Sequence, residues 1–331
     1  MSVLAALLKD DRQIMFWNES VNPDHEQYKV LIERDKLIDT ARDDRPIKIK
    51  VYYPSNYEGE KLPIILWSHG LGGSVDGAAF LSRYIAANGF IIVHVQHHGT
   101  DSSLWEGQKE HPWDIIRRTH ISRETTLNRY KDVPFVLDAL SEWFDKHPQI
   151  KAIADMSNLG MSGHSFGALT TQVMAGMLFP NEESDLIDLS DDRFKAGILY
   201  SPGSVEHLGD FDPNTVYPPI KTPLFHMTGT EDGSPLSGQG YEMRLAVYNH
   251  TKKEKYLLVL NNGDHMVFNG SRGKLGQSEF REQHEEIIKV MALSFWEAKL
   301  KNNQAAQEWL TGEGAKAYLR EKAEYSHEKR N

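Results

Sequence analysis

Ser165 stands between two glycines in the segment Gly163-His164-Ser165-Phe166-Gly167, after an apolar run and before a helical pattern rich in small residues. A G-x-S-x-G pattern at a strand-to-helix turn is typical of a nucleophile elbow, because the glycines permit a tight turn that projects the serine hydroxyl. By itself the pattern also fits a glycine-rich bend. The strand-turn-helix context favours the chemical interpretation, so we expect Ser165 to be a nucleophile.

A serine nucleophile needs a general base and an acid that orients this base. His265 comes directly after the last strand-like apolar run, and Asp232 follows the run before it. Asp232 is expected to accept the Nδ1 hydrogen of His265 and to stabilise the imidazolium. Weaker candidates for the acid are Glu231, Asp210, Asp212 and Asp264, the last of which would share the turn of the histidine.

The segment "LWSHGLGGS", residues 66–74, places small residues after another apolar run. Acyl transfer needs backbone N–H groups that bind the developing oxyanion. We expect these donors to be the amides of Leu71 and of Phe166, the residue after the nucleophile. His69 is interpreted as a structural histidine of this loop, and the glycines are also compatible with a plain turn.

Several further histidines raise the question of a metal centre. They are His94, His97, His98, His111 and His120, and they lack a tight ligand spacing with carboxylates. The segment "HEEII" at His284 begins like a zinc-protease helix, but Ile288 stands where the second histidine would be required. We therefore expect neither a metal nor an organic cofactor.

The composition is that of an ordinary globular protein, with 331 residues, 40% apolar and 25% charged. The net charge of −10 argues against nucleic acid or an anionic membrane as the main partner. The absence of cysteine excludes disulfides, thiolate metal sites and a cysteine nucleophile. With no apolar run of about 18 residues and no recognisable leader, the sequence predicts a soluble cytoplasmic protein, or a secreted one if a leader has been removed.

The elements that must position these residues follow from hydrophobic periodicity. Segments 28–39 and 46–54 alternate and predict an antiparallel pair at a sheet edge, with Ile47, Ile49 and Val51 on one face. Six short apolar runs then alternate with helical patterns: "LPIILWSHG", "GFIIVHVQHHG", "NLGMSGHS", "AGILYSPG", "PLFHMTGTEDG" and "KYLLVLNNGDH". This alternation predicts an α/β fold, with a mostly parallel central sheet and helices on both faces.

The predicted divisions are an N-terminal arm (1–27), a catalytic domain (28–313) with a lid or pocket loop (101–123), and a charged, solvated helical tail (314–331). Phe16 and Trp17 are expected to attach the arm to the body. The 101–123 segment combines polar and aromatic residues, which suits a loop over a pocket. Trp67, Trp105 and Trp113 either line that pocket or pack in the core and the lid.

Taken together, these motifs resemble the α/β-hydrolase superfamily over about residues 45–300. The pieces that carry the likeness are "WSHGLGGS", "YIAANGFIIVHVQHHGTDSS", "GMSGHSFGALTT", "GTEDGSP" and "NGDHMVF". Within the superfamily the chain resembles the branch that groups platelet-activating-factor acetylhydrolase-like esterases with dienelactone-hydrolase-like proteins. The resemblance implies an α/β-hydrolase fold with Ser165 as nucleophile, His265 as base, and Leu71 and Phe166 as oxyanion donors.

The position of the acid departs from the acetylhydrolase pattern. Those enzymes carry it after the strand that follows the serine helix, where this chain has Ser201 and no nearby acid. Asp232 instead matches the commoner superfamily position, as in cutinase-like and polyester-cleaving esterases. Dienelactone hydrolases use a cysteine nucleophile, which this chain lacks.

The resulting hypothesis is a serine carboxylester hydrolase that works through an acyl-enzyme. Its expected substrates are small-molecule or lipid-like esters with short-to-medium acyl groups. Two alternatives remain open from the sequence. One is a serine peptidase or amidase of the same fold, and the other is a catalytically silent hydrolase fold that serves as a binding module.

Overall fold

A computed structural model of the chain describes residues 15–204, 209, 211–270 and 278–329. Its strands are β1 (Val30–Asp39), β2 (Arg45–Pro54), β3 (Leu62–Ser68), β4 (Ile91–His97), β5 (Ala154–His164), β6 (Phe179–Pro180), β7 (Leu186–Ile187), β8 (Phe194–Tyr200), β9 (Leu224–Glu231), β10 (Lys255–Asp264) and β11 (Ala323–Glu328). Its α-helices are α1 (Ala79–Ala87), α2 (Pro112–Arg118), α3 (Arg123–Asp145), α4 (Pro148–Lys151), α5 (Phe166–Met174), α6 (Pro213–Val216), α7 (Ala246–His250), α8 (Arg281–Leu300), α9 (Gln304–Thr311) and α10 (Glu313–Leu319). Short 3₁₀ turns cover Ser102–Leu104, Tyr241–Leu245, Val267–Asn269 and Arg320–Lys322.

The central sheet has the strand order β1-β2-β4-β3-β5-β8-β9-β10-β11. Six neighbouring strands of this sheet run parallel to one another: β4, β3, β5, β8, β9 and β10. They are the six apolar runs of the sequence. β1 and β2 pair antiparallel at one edge, and β2 is antiparallel to β4. The predicted α/β class, the mostly parallel sheet and the antiparallel N-terminal edge are confirmed.

Two apolar layers cover the sheet, one on each face. Ile47, Ile49 and Val51 lie on the face that packs against α3 and α5, whereas Tyr52, the residue after Val51, lies on the opposite face with α1 and α8. The parallel strands are buried from both sides, which is why they are nearly continuous apolar runs. Because every described residue of β3 and β4 is buried, the loops at their carboxyl ends are held on a rigid base.

The carboxyl ends of the parallel strands meet at one edge, where ligands collect in open α/β sheets. The loop at residues 69–73 follows β3, and Ser165 follows β5. Asp232 follows β9, and His265 follows β10. The topology therefore gathers the four predicted elements of the site on one side of the sheet.

The segment 314–331 differs from the solvated helical tail that the sequence predicts. After α10, residues Ala323–Glu328 form β11, which pairs antiparallel with β10 at the second edge of the sheet. Ala323 is buried, and the ring of Tyr325 lies 6.1 Å from that of Phe225. An edge strand needs only one paired neighbour and one half-buried face, so a charged sequence can adopt it. Residues 330 and 331 lie outside the described residues.

The described part of the N-terminal arm is attached to the C-terminal helices. Trp17 Nε1 donates a hydrogen bond to Glu297 (2.6 Å), and its ring packs 5.2 Å from that of Trp309. Phe16 lies 5.5 Å from Tyr318, ring centre to ring centre. The attachment expected of Phe16 and Trp17 is thus confirmed, while residues 1–14 lie outside the described residues.

Among the helices that the structure describes, none combines the length and the apolar character needed to cross a membrane.

Candidate active site

Ser165 occupies a sharp turn between β5 and α5. Its backbone has φ 57° and ψ −115°, a conformation that non-glycine residues rarely adopt. A Cβ atom at Gly167 would overlap the carbonyl oxygen of Ser68, and one at Gly163 would overlap the backbone of Gly167. The two glycines are therefore required because strand and helix backbones meet at this turn.

Asp232 is fully buried at the end of β9 and has its acceptor sites filled. Its Oδ1 accepts a hydrogen bond from His265 Nδ1 at 2.8 Å. Its Oδ2 accepts hydrogen bonds from the hydroxyls of Ser201 (2.6 Å) and Thr228 (2.9 Å). Burial alone would raise the pKa of Asp232, but its hydrogen bonds and the neighbouring positive charge outweigh burial and hold that pKa below its ordinary value.

Arg244 supplies the neighbouring positive charge. Its side chain is 4% exposed, and its Nε lies 2.9 Å from Asp232 Oδ1. It also donates hydrogen bonds to the carbonyls of Ser201, Pro202 and Gly233. Arg244 Nη2 lies 3.1 Å from His265 Nδ1. An ionised carboxylate only accepts, so the 2.8 Å contact with Asp232 requires the hydrogen on Nδ1, and Nε2 is left free to accept a proton.

His164 holds the backbone of the loop that carries His265. Its Nε2 donates a hydrogen bond to the His265 carbonyl at 2.7 Å, and the two rings are 4.6 Å apart. Burial lowers the pKa of His164 to about 3. His164 is therefore a neutral hydrogen-bond donor at pH 7.

Ser165 and His265 both line one cavity of about 270 Å³. The side chains of Trp105 and Trp113, from the predicted 101–123 loop, form part of its wall. Among the described residues, the Ser165 hydroxyl makes no hydrogen bond with the His265 ring. The hydrogen bond between nucleophile and base is often long in the free enzyme and shortens when substrate is bound. A Ser165 hydroxyl that does not yet bond His265 therefore does not argue against a catalytic pair. Trp67 instead lies in the core, 5.4 Å from the Tyr200 ring.

The loop that carries Leu71 is fastened to the 101–123 segment. Gly72 N–H donates to the Thr100 carbonyl (2.8 Å), and Ser102 N–H donates to the Gly73 carbonyl (2.8 Å). Trp105 Nε1 donates to the Gly72 carbonyl at 2.7 Å. Within the described residues, the Leu71 N–H donates to no backbone or side-chain acceptor.

Phe166 is the first residue of α5. The first N–H groups of a helix have no partner inside the helix, so the Phe166 amide is available to a ligand. The same end of the helix carries partial positive charge, which favours an anion beside it. Among the described residues, the N–H groups of both predicted oxyanion donors have no protein acceptor; Leu71 lines the cavity, and Phe166 directly follows Ser165, which also lines it.

The other sequence candidates have different positions. Asp264 accepts hydrogen bonds from the backbone of Met266 and Val267, and Asp212 caps α6. Glu231 is exposed at the end of β9, and Asp210 lies outside the described residues. None of the described alternatives contacts the His265 ring, so Asp232 is the acid that the geometry brings to the histidine.

Three of the other histidines are engaged in structural contacts. His69 is buried, with Nε2 accepting the His97 N–H at 2.9 Å, as expected of a structural histidine. His94 pairs with Ser82, and His284 binds the Asn261 carbonyl. In the part of the chain that the structure describes, no group of three or more histidines and carboxylates is arranged to hold a metal ion.

Sequence reasoning missed four residues of this site: His164, Ser201, Thr228 and Arg244. Three had a local signal, because His164 precedes the nucleophile, Ser201 directly follows β8, and Thr228 lies in β9 four residues before Asp232. Arg244 had none, since it comes from a 3₁₀ turn twelve residues after the acid.

Comparisons with known proteins give a family of ester hydrolases to which the chain is similar. Residues 34–122 match the family model described as platelet-activating factor acetylhydrolase, isoform II. A curated relative, the platelet-activating factor acetylhydrolase of Canis lupus familiaris, is 23% identical in an alignment of 229 residues that covers 61% of this chain. The match covers 47% of that relative, so the chain spans about half its length.

The family-model match ends before Ser165, and it contains the Leu71 loop and all but the last residue of the 101–123 segment. The sheet order and the strand-turn-helix at Ser165 are those expected of the α/β-hydrolase fold. The chain is an α/β-hydrolase-type protein that is similar to platelet-activating factor acetylhydrolases.

Proposed function

We propose that this chain is a serine carboxylester hydrolase. The observation that carries the proposal is the His265–Asp232 hydrogen bond of 2.8 Å beside a cavity whose wall also contains Ser165 at φ 57°. The similarity to acetylhydrolases supports the same reaction class. No metal or organic cofactor is needed for this chemistry.

In the first step, Ser165 Oγ attacks the ester carbonyl carbon while its proton passes to His265 Nε2. The carbonyl oxygen becomes an oxyanion, which accepts hydrogen bonds from the N–H groups of Leu71 and Phe166. Asp232 stabilises the imidazolium that forms. The bond to the alcohol oxygen then breaks, the alcohol takes the proton from the imidazolium, and an acyl-enzyme remains.

In the second step, water replaces the alcohol. His265 Nε2 takes a proton from the water while the water oxygen attacks the acyl carbon. The tetrahedral intermediate collapses by breaking the bond to Ser165 Oγ, which receives the proton back. The carboxylic acid leaves, and the free enzyme is restored.

The cavity supports small, uncharged acyl groups. Its volume of about 270 Å³ is below the usual range of about 300–1,000 Å³ for small-molecule sites. Its described wall carries the apolar side chains of Trp105, Trp113, Ile116, Leu236 and Met266. No Asp, Glu, Lys or Arg is among the described lining residues. A charged acyl chain would therefore lose its hydration without gaining an ionic partner.

A chain-length series tests both the reaction class and the cavity size. p-Nitrophenyl acetate, butyrate and decanoate are compared with a p-nitroanilide peptide, with Ser165→Ala as the blank. We expect the highest kcat/KM for acetate or butyrate and a value about 10-fold or more lower for decanoate, because the extra methylenes exceed the cavity. Faster cleavage of the anilide would favour a peptidase or amidase, and no turnover of any substrate would favour a binding module.

A further inference from the structure

A second serine–histidine–aspartate chain lies behind the loop that carries Leu71. Ser68 Oγ is 2.9 Å from His97 Nε2, and His97 Nδ1 is 3.1 Å from Asp132 Oδ2. Ser68 ends β3, His97 ends β4, and Asp132 lies in α3. All three residues are at most 1% exposed. A substrate cannot reach this Ser68 hydroxyl, so the arrangement has a role other than nucleophilic attack.

The hydrogen-bond directions in this network follow from the Asp132 carboxylate and from the guanidinium of Arg129. Its Nη2 donates to Ser68 Oγ at 2.8 Å, and a guanidinium has no acceptor. An ionised carboxylate only accepts, so His97 carries its hydrogen on Nδ1 and donates it to Asp132, and His97 Nε2 accepts the hydrogen of the Ser68 hydroxyl. Asp132 also accepts a hydrogen bond from Arg45 Nε at 2.7 Å, and Arg42 Nη2 lies 2.9 Å from its Oδ1 as an ion pair.

The charges of this network are fixed at neutral pH. Burial and the charge of Arg129 lower the pKa of His97 to about 4, so the ring is neutral. Burial lowers the pKa of Arg129 to about 9, which leaves the guanidinium charged. A buried cation is tolerated only when its N–H groups are hydrogen-bonded. The acceptors of Arg129 are therefore costly to displace.

The acceptors of Arg129 belong to the elements that carry the two oxyanion donors. On the Leu71 side it donates to the His69 carbonyl and to Ser68. It also donates to Thr100 Oγ1 at 2.8 Å, and the Thr100 carbonyl in turn accepts the N–H of Gly72. The loop at residues 69–73 is thus attached to Arg129 at both of its ends.

On the nucleophile side, Arg129 Nε donates to Thr170 Oγ1 in α5 at 2.8 Å. The Thr170 hydroxyl donates to the carbonyl of Phe166 at 2.9 Å. The guanidinium carbon lies 4.4 Å from the centre of the Phe166 ring. One buried guanidinium therefore joins the first turn of α5 to the Leu71 loop.

We propose that Ser68, His97, Asp132 and Arg129 are positioning residues that fix the separation of the Leu71 and Phe166 N–H groups. This inference rests on the proposed ester hydrolysis, in which those groups bind the oxyanion. Ser68 is the central member, because it accepts from Arg129 and donates to His97. Without its hydroxyl, both neighbours lose a buried partner, and the loop after β3 is no longer held against α5.

Ser68→Ala is expected to lower kcat for p-nitrophenyl butyrate about 10- to 100-fold, because small displacements of oxyanion donors act on the transition state. KM should stay within about twofold, since ground-state binding is unchanged. Affinity for a trifluoromethyl ketone, which forms a tetrahedral adduct, should fall in parallel with kcat. Thr170→Val provides a second, nearly isosteric variant that removes one acceptor of Arg129, and it should lower kcat in the same way.

Ser82→Ala is the matched control. Ser82 is also buried and bonds His94 Nε2 at 2.7 Å, but this pair lies on the α1 face and does not contact Arg129 among the described residues. Both alanine variants should lower Tm by about 2–6 °C, because each orphans a buried histidine nitrogen. Only Ser68→Ala and Thr170→Val should lower kcat.

The outcomes separate this inference from the proposed function. An active wild-type protein whose Ser68→Ala and Thr170→Val variants keep kcat within about twofold would overturn the positioning role alone. An equal loss of kcat in Ser82→Ala would also overturn it, because the effect would then follow from stability. A wild-type protein no more active than Ser165→Ala would overturn the proposed function itself.

Discussion

Ser165→Ala is expected to lower kcat for a short-chain ester by about 10⁴-fold or more, because no other described side chain can supply the attacking oxygen at this turn. KM should change little, since the substrate is held by the apolar wall of the cavity. The rates are measured with p-nitrophenyl butyrate at pH 7.5.

A serine near the start of β5, the strand that precedes Ser165, provides the control. This serine, Ser157, is exposed, and among the described residues it bonds only the side chain of Asp155. Ser157→Ala should keep kcat within about twofold. If Ser165→Ala retained a tenth of the wild-type kcat, Ser165 would not be the nucleophile.

Asp232→Asn is expected to lower kcat by about 10⁴-fold, through the tautomer of His265. The hydroxyls of Ser201 and Thr228 donate to Asp232 Oδ2, so the oxygen of the asparagine must face them. The NH₂ group then faces His265 Nδ1 and donates to it. The histidine hydrogen moves to Nε2, which can no longer take the proton from Ser165.

Glu231→Gln is the control for this substitution. Glu231 is the preceding residue and has the same charge, but its side chain is exposed. We expect kcat within about twofold of wild type, as for most exposed positions. A retained kcat in Asp232→Asn, or an equal loss in Glu231→Gln, would contradict the assignment of the acid.

The three side chains of the candidate site could be placed from the sequence because their signals are local. Ser165 is marked by two glycines, which the close approach of α5 to β3 and β5 requires, and each of them is only two residues away in the sequence. His265 and Asp232 each follow an apolar run that parallel-sheet burial makes almost continuous. The order of these runs along the chain was enough to bring the three side chains to one edge of the sheet.

The supporting residues were not predictable, because their burial is decided by tertiary packing. Arg129 lies in the long helix α3 and Arg244 in a 3₁₀ turn, where single charges usually face solvent. Only the assembled sheet shows that Arg129 reaches the ends of β3 and α5, and that Arg244 closes over Asp232. No periodicity distinguishes such a buried arginine from a surface one.

The C-terminal strand was missed for a related reason. Residues Ala323–Glu328 alternate between a covered and an exposed face, but three of the six are glutamate or histidine: Glu324, His327 and Glu328. Such a segment resembles a polar helix or tail until a partner strand is present. β10 supplies that partner, and pairing along one side satisfies the backbone of β11.

Covalent labelling tests the central claim most directly. The wild-type chain is treated with a fluorophosphonate probe, digested and analysed by mass spectrometry. One adduct per chain is predicted, on the peptide that contains Ser165, with no adduct in Ser165→Ala and much slower labelling in Asp232→Asn. An unlabelled wild-type protein, or an adduct on a different serine, would contradict the account.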